Sequence, residues 1–223
     1  MNIEKYYEIK NQLPETVNLI AVSKTKPMED IQTLYHEGQR AFGENKAQEM
    51  KTKYENLPKD IQWHFIGHLQ TNKIKYIAPF VTLIHSIDSM ALLQEVNRYA
   101  MKNNRVIPCL LQFHIATEET KFGFSLEECE EMLNSPQFKD LQNVQICGVM
   151  GMGTFTDNTD QVRQEFHHLH DIFQHLKQNY FADNESFKEL SMGMTDDYPI
   201  AIQEGSTFIR IGSAIFGARN YNI

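Results

Sequence analysis

The chain is 223 residues long, 41% hydrophobic and 22% charged, which is ordinary for a globular protein and leaves room for one large α/β domain or two small ones. Its net charge is −8 and no basic block occurs, which argues against nucleic acid or an anionic membrane as partner. No apolar run approaches the ~20 residues of a membrane span, and the amphipathic start MNIEKYYEIKNQL lacks the apolar stretch of a signal peptide.

Residues 2–12 carry helical spacing. Residues 17–23 follow as a strand, because Val17, Leu19, Ile20, Ala21 and Val22 form a nearly continuous apolar run of the kind buried on both faces. That strand runs out at Lys24, and Pro27 shows that the chain has turned by then. A helix from Met28 to about residue 37 is closed by Gly38. Residues 40–42 make a brief strand ending in Gly43-Glu44-Asn45, and a polar helix spans 46–56. The third strand, 62–66, ends in Gly67-His68, and a short helix over 69–77 stops near Pro79. The fourth strand, 81–86, ends at Ile87-Asp88, before a helix over 90–101 with Leu92, Leu93, Val96 and Tyr99 as its apolar stripe.

The second half repeats the rhythm. A strand over 106–115 and a polar loop over 117–123 precede a helix that Ser125 and Glu128 open as a capping box. A strand over 144–150 leads through Gly151-Met152-Gly153 to a long helix over 160–180. A strand over 187–191, a helix carrying Ile200, Ala201 and Ile202, a strand over 208–211 and a last helical turn at Gly212-Ser213 complete the chain. Eight strands, each followed by helical pattern and with no linker between them, imply a parallel sheet. Eight βα units closing on themselves make a (β/α)₈ TIM-type barrel, so a single α/β barrel domain over 1–223 with an extra N-terminal helix is expected. An open doubly wound sheet is the alternative, since periodicity does not show closure.

In a parallel barrel all strand ends face one mouth. The first strand delivers Lys24 there, the second Asn45, the third His64 and Gly67, and the fourth His85 and Asp88. The fifth ends near His114, with Lys121 in its loop; the seventh gives Ser191 and Thr195, and the eighth Arg210, Gly212 and Ser213. The last two ends suit a phosphate, which barrels often bind at a short helix N-terminus. Gly212 lets backbone come close to an anion, and Thr195 and Ser213 add hydroxyls. An anion cradle facing an amine fits pyridoxal phosphate, whose usual anchor is a lysine, and on spacing alone it also fits sugar phosphates.

AVSKTKP (21–27), RAFGENKAQE (40–49), WHFIGHLQTNK (63–73), ETKFGF (119–124), SMGMTDD (191–197) and RIGSAIFGAR (210–219) together resemble the pyridoxal phosphate homeostasis proteins, or YggS family, over nearly the whole chain. That family is similar to the barrel of alanine racemase, fold type III among pyridoxal phosphate proteins. The resemblance implies pyridoxal phosphate held by Lys24 as a Schiff base, with Thr195, Gly212 and Ser213 at the phosphate and Arg210 facing the pyridine nitrogen. Asn45, His64 and Ser191 complete the expected cofactor-binding set, and no catalytic or metal-binding residue is expected. The implied role is cofactor homeostasis in the cytoplasm without established turnover. Pyridoxal phosphate-dependent apoenzymes are the partners, and a monomer is expected because the racemase β-domain does not follow the barrel. An amino-acid racemase is the alternative. Two positions depart from the family pattern: Thr195 stands where serine is usual, and His114 where asparagine is commoner.

Several residues invite sharper readings. Lys26 precedes Pro27 and is expected to face solvent. His64 follows Trp63 in a strand, so packing and ligand roles are both open to it. His167, His168, His170 and His175 crowd one helix, but without an HExxH pattern a solvated face is the expectation. Asp196 and Asp197 read as helix N-terminal charges. The cysteines Cys109, Cys129 and Cys147 form no CxxC pair; Cys109 and Cys147 sit in apolar strands, where buried reduced thiols in a reducing cytoplasm are expected.

Overall fold

Eight parallel strands close into a ring in chain order. They are β1 Asn18–Val22, β2 Ala41–Glu44, β3 Gln62–Phe65, β4 Leu83–Ile87, β5 Ile107–Phe113, β6 Val144–Gly151, β7 Glu189–Ser191 and β8 Phe208–Ile211. The structure is a computed structural model, and it describes residues 1–118 and 122–217. The pairing of β8 with β1 turns the expected barrel into a finding and removes the open-sheet alternative. The helices are α1 Ile3–Gln12, α2 Met28–His36, α3 Ala47–Asn56, α4 Met90–Lys102, α5 Leu126–Asn134, α6 Pro136–Lys139, α7 Thr159–Asn179, α8 Tyr198–Gln203 and α9 Ser213–Phe216.

The short helix expected after β3 is a 3₁₀ helix, Thr71–Tyr76. It is short and lacks a side-chain cap, the circumstances in which the tighter i→i+3 turn is used. The short α6 was not foreseen; Ser135 accepts a hydrogen bond from Phe138 N at 3.2 Å, and Pro136 fills the first helical position.

Alternation along the strands builds two cores. Outward side chains such as Trp63, Phe65, Ile84, Leu111, Ile209 and Ile211 join the helices in one large apolar cluster. Each fully buried large side chain there stabilises the fold by about 1.5–3 kcal/mol relative to exposure. Inward side chains form a second, small cluster, Leu83, Leu110, Cys147 and Met150, against which Phe208 packs. The other inward positions include His64, His85, Gln112, Ser191 and Arg210, all buried. The barrel axis is therefore apolar in one part and polar in another, and the polar part leads to the mouth. α1 lies outside the ring: Asn2 N donates to Ile215 O at 2.6 Å, tying the start of the chain to α9.

Two irregularities re-aim side chains, as β-bulges do. Between β5 and β6 the register jumps from Cys109↔Ile146 to Leu110↔Gly148, leaving Cys147 as the extra residue. Between β4 and β5 it shifts from Ile84↔Cys109 to Ile87↔Leu111, across His85 and Ser86. Gly148 has φ +151°, and a Cβ there would lie 1.8 Å from Glu189 O. Gly148→Ala is therefore expected to cost about 3 kcal/mol or more, seen as a lower urea midpoint with an unchanged slope.

Candidate functional site

Lys24 is placed by a strained turn. β1 ends at Val22, Ser23 is buried, Lys24 is half-buried, and Lys26 N closes the turn by donating to Ser23 O at 3.0 Å. Thr25 has φ 62°, a left-handed conformation that a β-branched residue adopts only when its surroundings hold it. The hold is Glu49, whose Oε1 accepts from Thr25 N at 2.6 Å. Behind the turn lies a buried cluster. Ser23 Oγ donates to Glu44 Oε1 at 2.6 Å, and Lys53 Nζ donates to Ser23 O, Glu44 Oε1 and Glu49 Oε1 at 2.8, 2.8 and 2.7 Å. Burial pushes the Glu44 carboxyl up to about 7, against the opposing pull of Lys53.

The mouth holds a cavity of about 290 Å³ lined by Lys24, Asn45, Thr195, Arg210, Gly212 and Ser213, with Met152, Phe155 and Met194 on its apolar side. Asn45 follows β2, and its Oδ1 is buried without a hydrogen-bond partner. Ser213 Oγ donates to Thr195 Oγ1 at 3.2 Å, so the two hydroxyls converge where α9 begins. At Gly212 a Cβ would meet Val22 O at 3.1 Å, so the missing side chain also lets β8 run on closely beside β1. Arg210 is buried, and its guanidinium is pinned by Ser191 Oγ at 2.6 Å and Gly151 O at 3.1 Å. Burial lowers it to about 10, with Asp197 pulling the other way, so it remains a cation at neutral pH.

His64 and Ser191 are buried inward side chains outside the lining of the mouth cavity. Both point to the barrel axis below it, because Ser191 ends β7 opposite Phe208 while His64 pairs with Gly43 and Leu83 inside the strands. His64 instead lines a larger cavity of about 880 Å³ at the other end of the barrel, among the strand starts Asn18, Gln62 and Glu189. Lys26 is corrected: it is half-buried, and its Nζ donates to Phe216 O and Gly217 O at 3.2 and 3.0 Å, closing the end of α9. His114 is exposed, with Nε2 2.9 Å from Glu118 O. Lys121 lies outside the described residues, as does the ETK of ETKFGF. Three of the four histidines of α7 have protein partners: His167 meets Glu204, His170 meets Glu204 O, and His175 meets Glu130, while His168 is exposed.

The profile of the alanine racemase N-terminal domain matches residues 3–220. A protein of Aquifex aeolicus named pyridoxal phosphate homeostasis protein is 39% identical over 220 residues, 98% of this chain and 94% of the relative. One of the same name from Escherichia coli is 35% identical over 94% of this chain and 88% of the relative. This chain belongs to the pyridoxal phosphate homeostasis protein family. Among solved structures, PipY of Synechococcus elongatus is 36% identical over 96% of this chain and 99% of that one. The TM-score is 0.88 to its form without pyridoxal phosphate and 0.85 to its form with pyridoxal phosphate bound. Alanine racemase of Clostridium difficile shares the fold at 14% identity and TM-score 0.70; this chain covers 56% of it.

Within this homeostasis-family barrel, the Glu44–Lys53–Glu49 cluster was not foreseen from sequence. A signal was available: Ala47, Met50 and Lys53 share one buried helical face at a spacing of three, so Lys53 is a lysine at a core position. The neighbouring rim has its own support, since Glu165, buried on α7, accepts from Thr154 N and Thr154 Oγ1 at 2.6 Å each and holds the loop that carries Phe155. The raised Glu44 pKa sets a sign for pH dependence. Between its unfolded value of 4.5 and about 7 the folded state binds the extra proton. Stability from this group is thus greatest below 4.5 and falls as pH rises through 7, by roughly 3 kcal/mol in all. Urea denaturation from pH 5 to 8 should show this downward slope in the wild type, and Glu44→Gln should flatten it.

Proposed function

We propose that this protein binds pyridoxal phosphate at the barrel mouth and serves the supply of that cofactor rather than the turnover of a substrate. One observation carries the reading: Lys24 and the buried cation Arg210, from the two strands that close the ring, line one cavity with paired hydroxyls at the start of α9. The unpaired Asn45 Oδ1 supports the fit, because a buried amide without a partner at a cavity wall calls for a ligand. Lys24 would hold the cofactor through its amine, Thr195, Gly212 and Ser213 would take the phosphate, and Arg210 would face the ring nitrogen. When bound, pyridoxal phosphate supplies an aldehyde that primary amines capture reversibly and a ring that can store electrons. A guanidinium only donates hydrogen bonds, so Arg210 leaves no proton on the ring nitrogen and keeps the ring a weak electron sink.

That electrostatic setting favours holding over carbanion chemistry, and the homeostasis name of the relatives agrees with it. Racemisation by two bases needs a second acid across from the lysine. The titratable groups among the described residues lining the cavity are Lys24, Lys26, Asp196 and Arg210, and Lys26 is bound to carbonyls of α9. Pyridoxal phosphate-dependent apoenzymes are the recipients this reading implies, and a monomer in a reducing cytoplasm is its setting. Supporting the latter, Cys109, Cys129 and Cys147 are buried free thiols whose pKa values burial raises, to about 12 for Cys129 and about 11 for Cys147.

Two measurements test the reading. Borohydride reduction of the loaded protein followed by peptide mapping should label Lys24, and Lys24→Ala should lose the visible absorbance; label on another lysine with absorbance retained would overturn it. Incubation with L- or D-alanine in deuterated water should give no α-carbon exchange with inversion beyond that of the free cofactor, and rapid inversion would establish the racemase instead.

A further inference from the structure

The axis of the barrel contains two buried histidines for which the proposed function has no use. His85 Nδ1 lies 2.9 Å from Ser191 Oγ, and His85 Nε2 lies 2.9 Å from His64 Nδ1. Ser191 Oγ in turn accepts from Arg210 Nη1 at 2.6 Å. Four side chains from β3, β4, β7 and β8 are thus joined in one line, from the mouth cavity at Arg210 to the opposite cavity at His64. Phe208 fixes the rings laterally, edge-on to His64 at 5.5 Å and to His85 at 5.7 Å. His85 sits in the register shift of β4, the kind of irregularity that turns a side chain to a new direction.

The line has one direction. Arg210 can only donate, so Ser191 Oγ is an acceptor there. Ser191 is fully buried, and its other neighbour in the line is His85 Nδ1. Its hydroxyl hydrogen is used only if His85 Nδ1 accepts it, since the reverse arrangement leaves that hydrogen buried and unpaired. His85 then carries its proton on Nε2 and donates to His64 Nδ1. His64 in turn carries its proton on Nε2, the nitrogen left for the opposite cavity. Burial holds both rings neutral, His64 down to about 4 and His85 well below the usual range, as two neutral tautomers in series require.

We infer that Ser191, His85 and His64 are positioning residues: a one-way hydrogen-bond relay along the barrel axis that fixes the Arg210 guanidinium so that its remaining donors face the mouth. This rests on the proposed ligand site there. A hydroxyl that donates its own hydrogen onward is a stronger acceptor, so each link tightens the hold on Arg210. An arginine ordered in advance spares a ligand the cost of ordering it.

Nitrogen-15 NMR of the wild-type protein without cofactor tests the relay directly. At pH 7, both His64 and His85 should be Nε2–H tautomers, and the Arg210 Nη signals should be resolved by slow rotation. His85→Leu should average those signals, and His85→Gln, which can accept from Ser191 and donate to His64, should restore them. Ser191→Ala should weaken pyridoxal phosphate binding about tenfold while keeping the Lys24-dependent absorbance at saturation. An Nδ1–H tautomer at either histidine, or His85→Leu leaving Arg210 as ordered as His85→Gln does, would overturn the relay. Failure of the wild type to bind pyridoxal phosphate would instead overturn the reading of the mouth, because the tautomers are read without the ligand.

Discussion

The pairing of β1 with β8 is the constraint on which the site depends. Its register sets Ile20 beside Arg210 and Ala21 beside Ile211. Lys24 and Ser213 lie at opposite ends of the sequence, yet each follows the end of its strand by two residues, so closure brings them to one rim. Gly212 makes the approach possible by presenting no Cβ to Val22 O. Without that last ladder of hydrogen bonds, the Lys24 amine and the paired hydroxyls of Thr195 and Ser213 would be on separate edges of an open sheet.

The polar lining of the barrel is costly, and the fold meets the cost by pairing. Unpaired buried polar groups destabilise, and buried charges do so more. Arg210 has Ser191 and Gly151 O, Gln112 has Phe122 O, and Lys53 has Ser23 O with two carboxylates. The two clusters lie on either side of the β1–β8 seam. One fixes the strained turn that carries Lys24, and the other fixes the arginine on the neighbouring strand. Asn45 Oδ1 and Glu44 Oε2 remain buried without partners, and both belong to the end of β2 beside Lys24. Of these two atoms, Asn45 Oδ1 is the one on a residue that lines the mouth cavity.

Much of this was legible in the sequence because the strands are short apolar runs punctuated by Gly, Pro and a capping box, which local chemistry dictates. The strand ends named the mouth residues Lys24, Asn45, Thr195, Arg210, Gly212 and Ser213, which do share one cavity. His64 and Ser191 face inward but lie outside that cavity's lining. Periodicity says that a residue faces inward, but not how far along the axis it sits, and that depth follows from strand stagger and bulges. The Glu44–Lys53 pair escaped for a different reason: a lysine on a polar helix reads as solvated until the strand packed beneath it is known.

Ring closure also bears on biosynthesis. Because β1 finds its second neighbour only when β8 has been made, a nascent chain carries an open hydrogen-bonding edge along Asn18–Val22 through most of its translation. That edge is strongly apolar, so shielding by a chaperone or by the ribosome matters most for this segment. The mouth cavity likewise cannot form before the eighth strand docks, since Arg210, Gly212 and Ser213 belong to its wall.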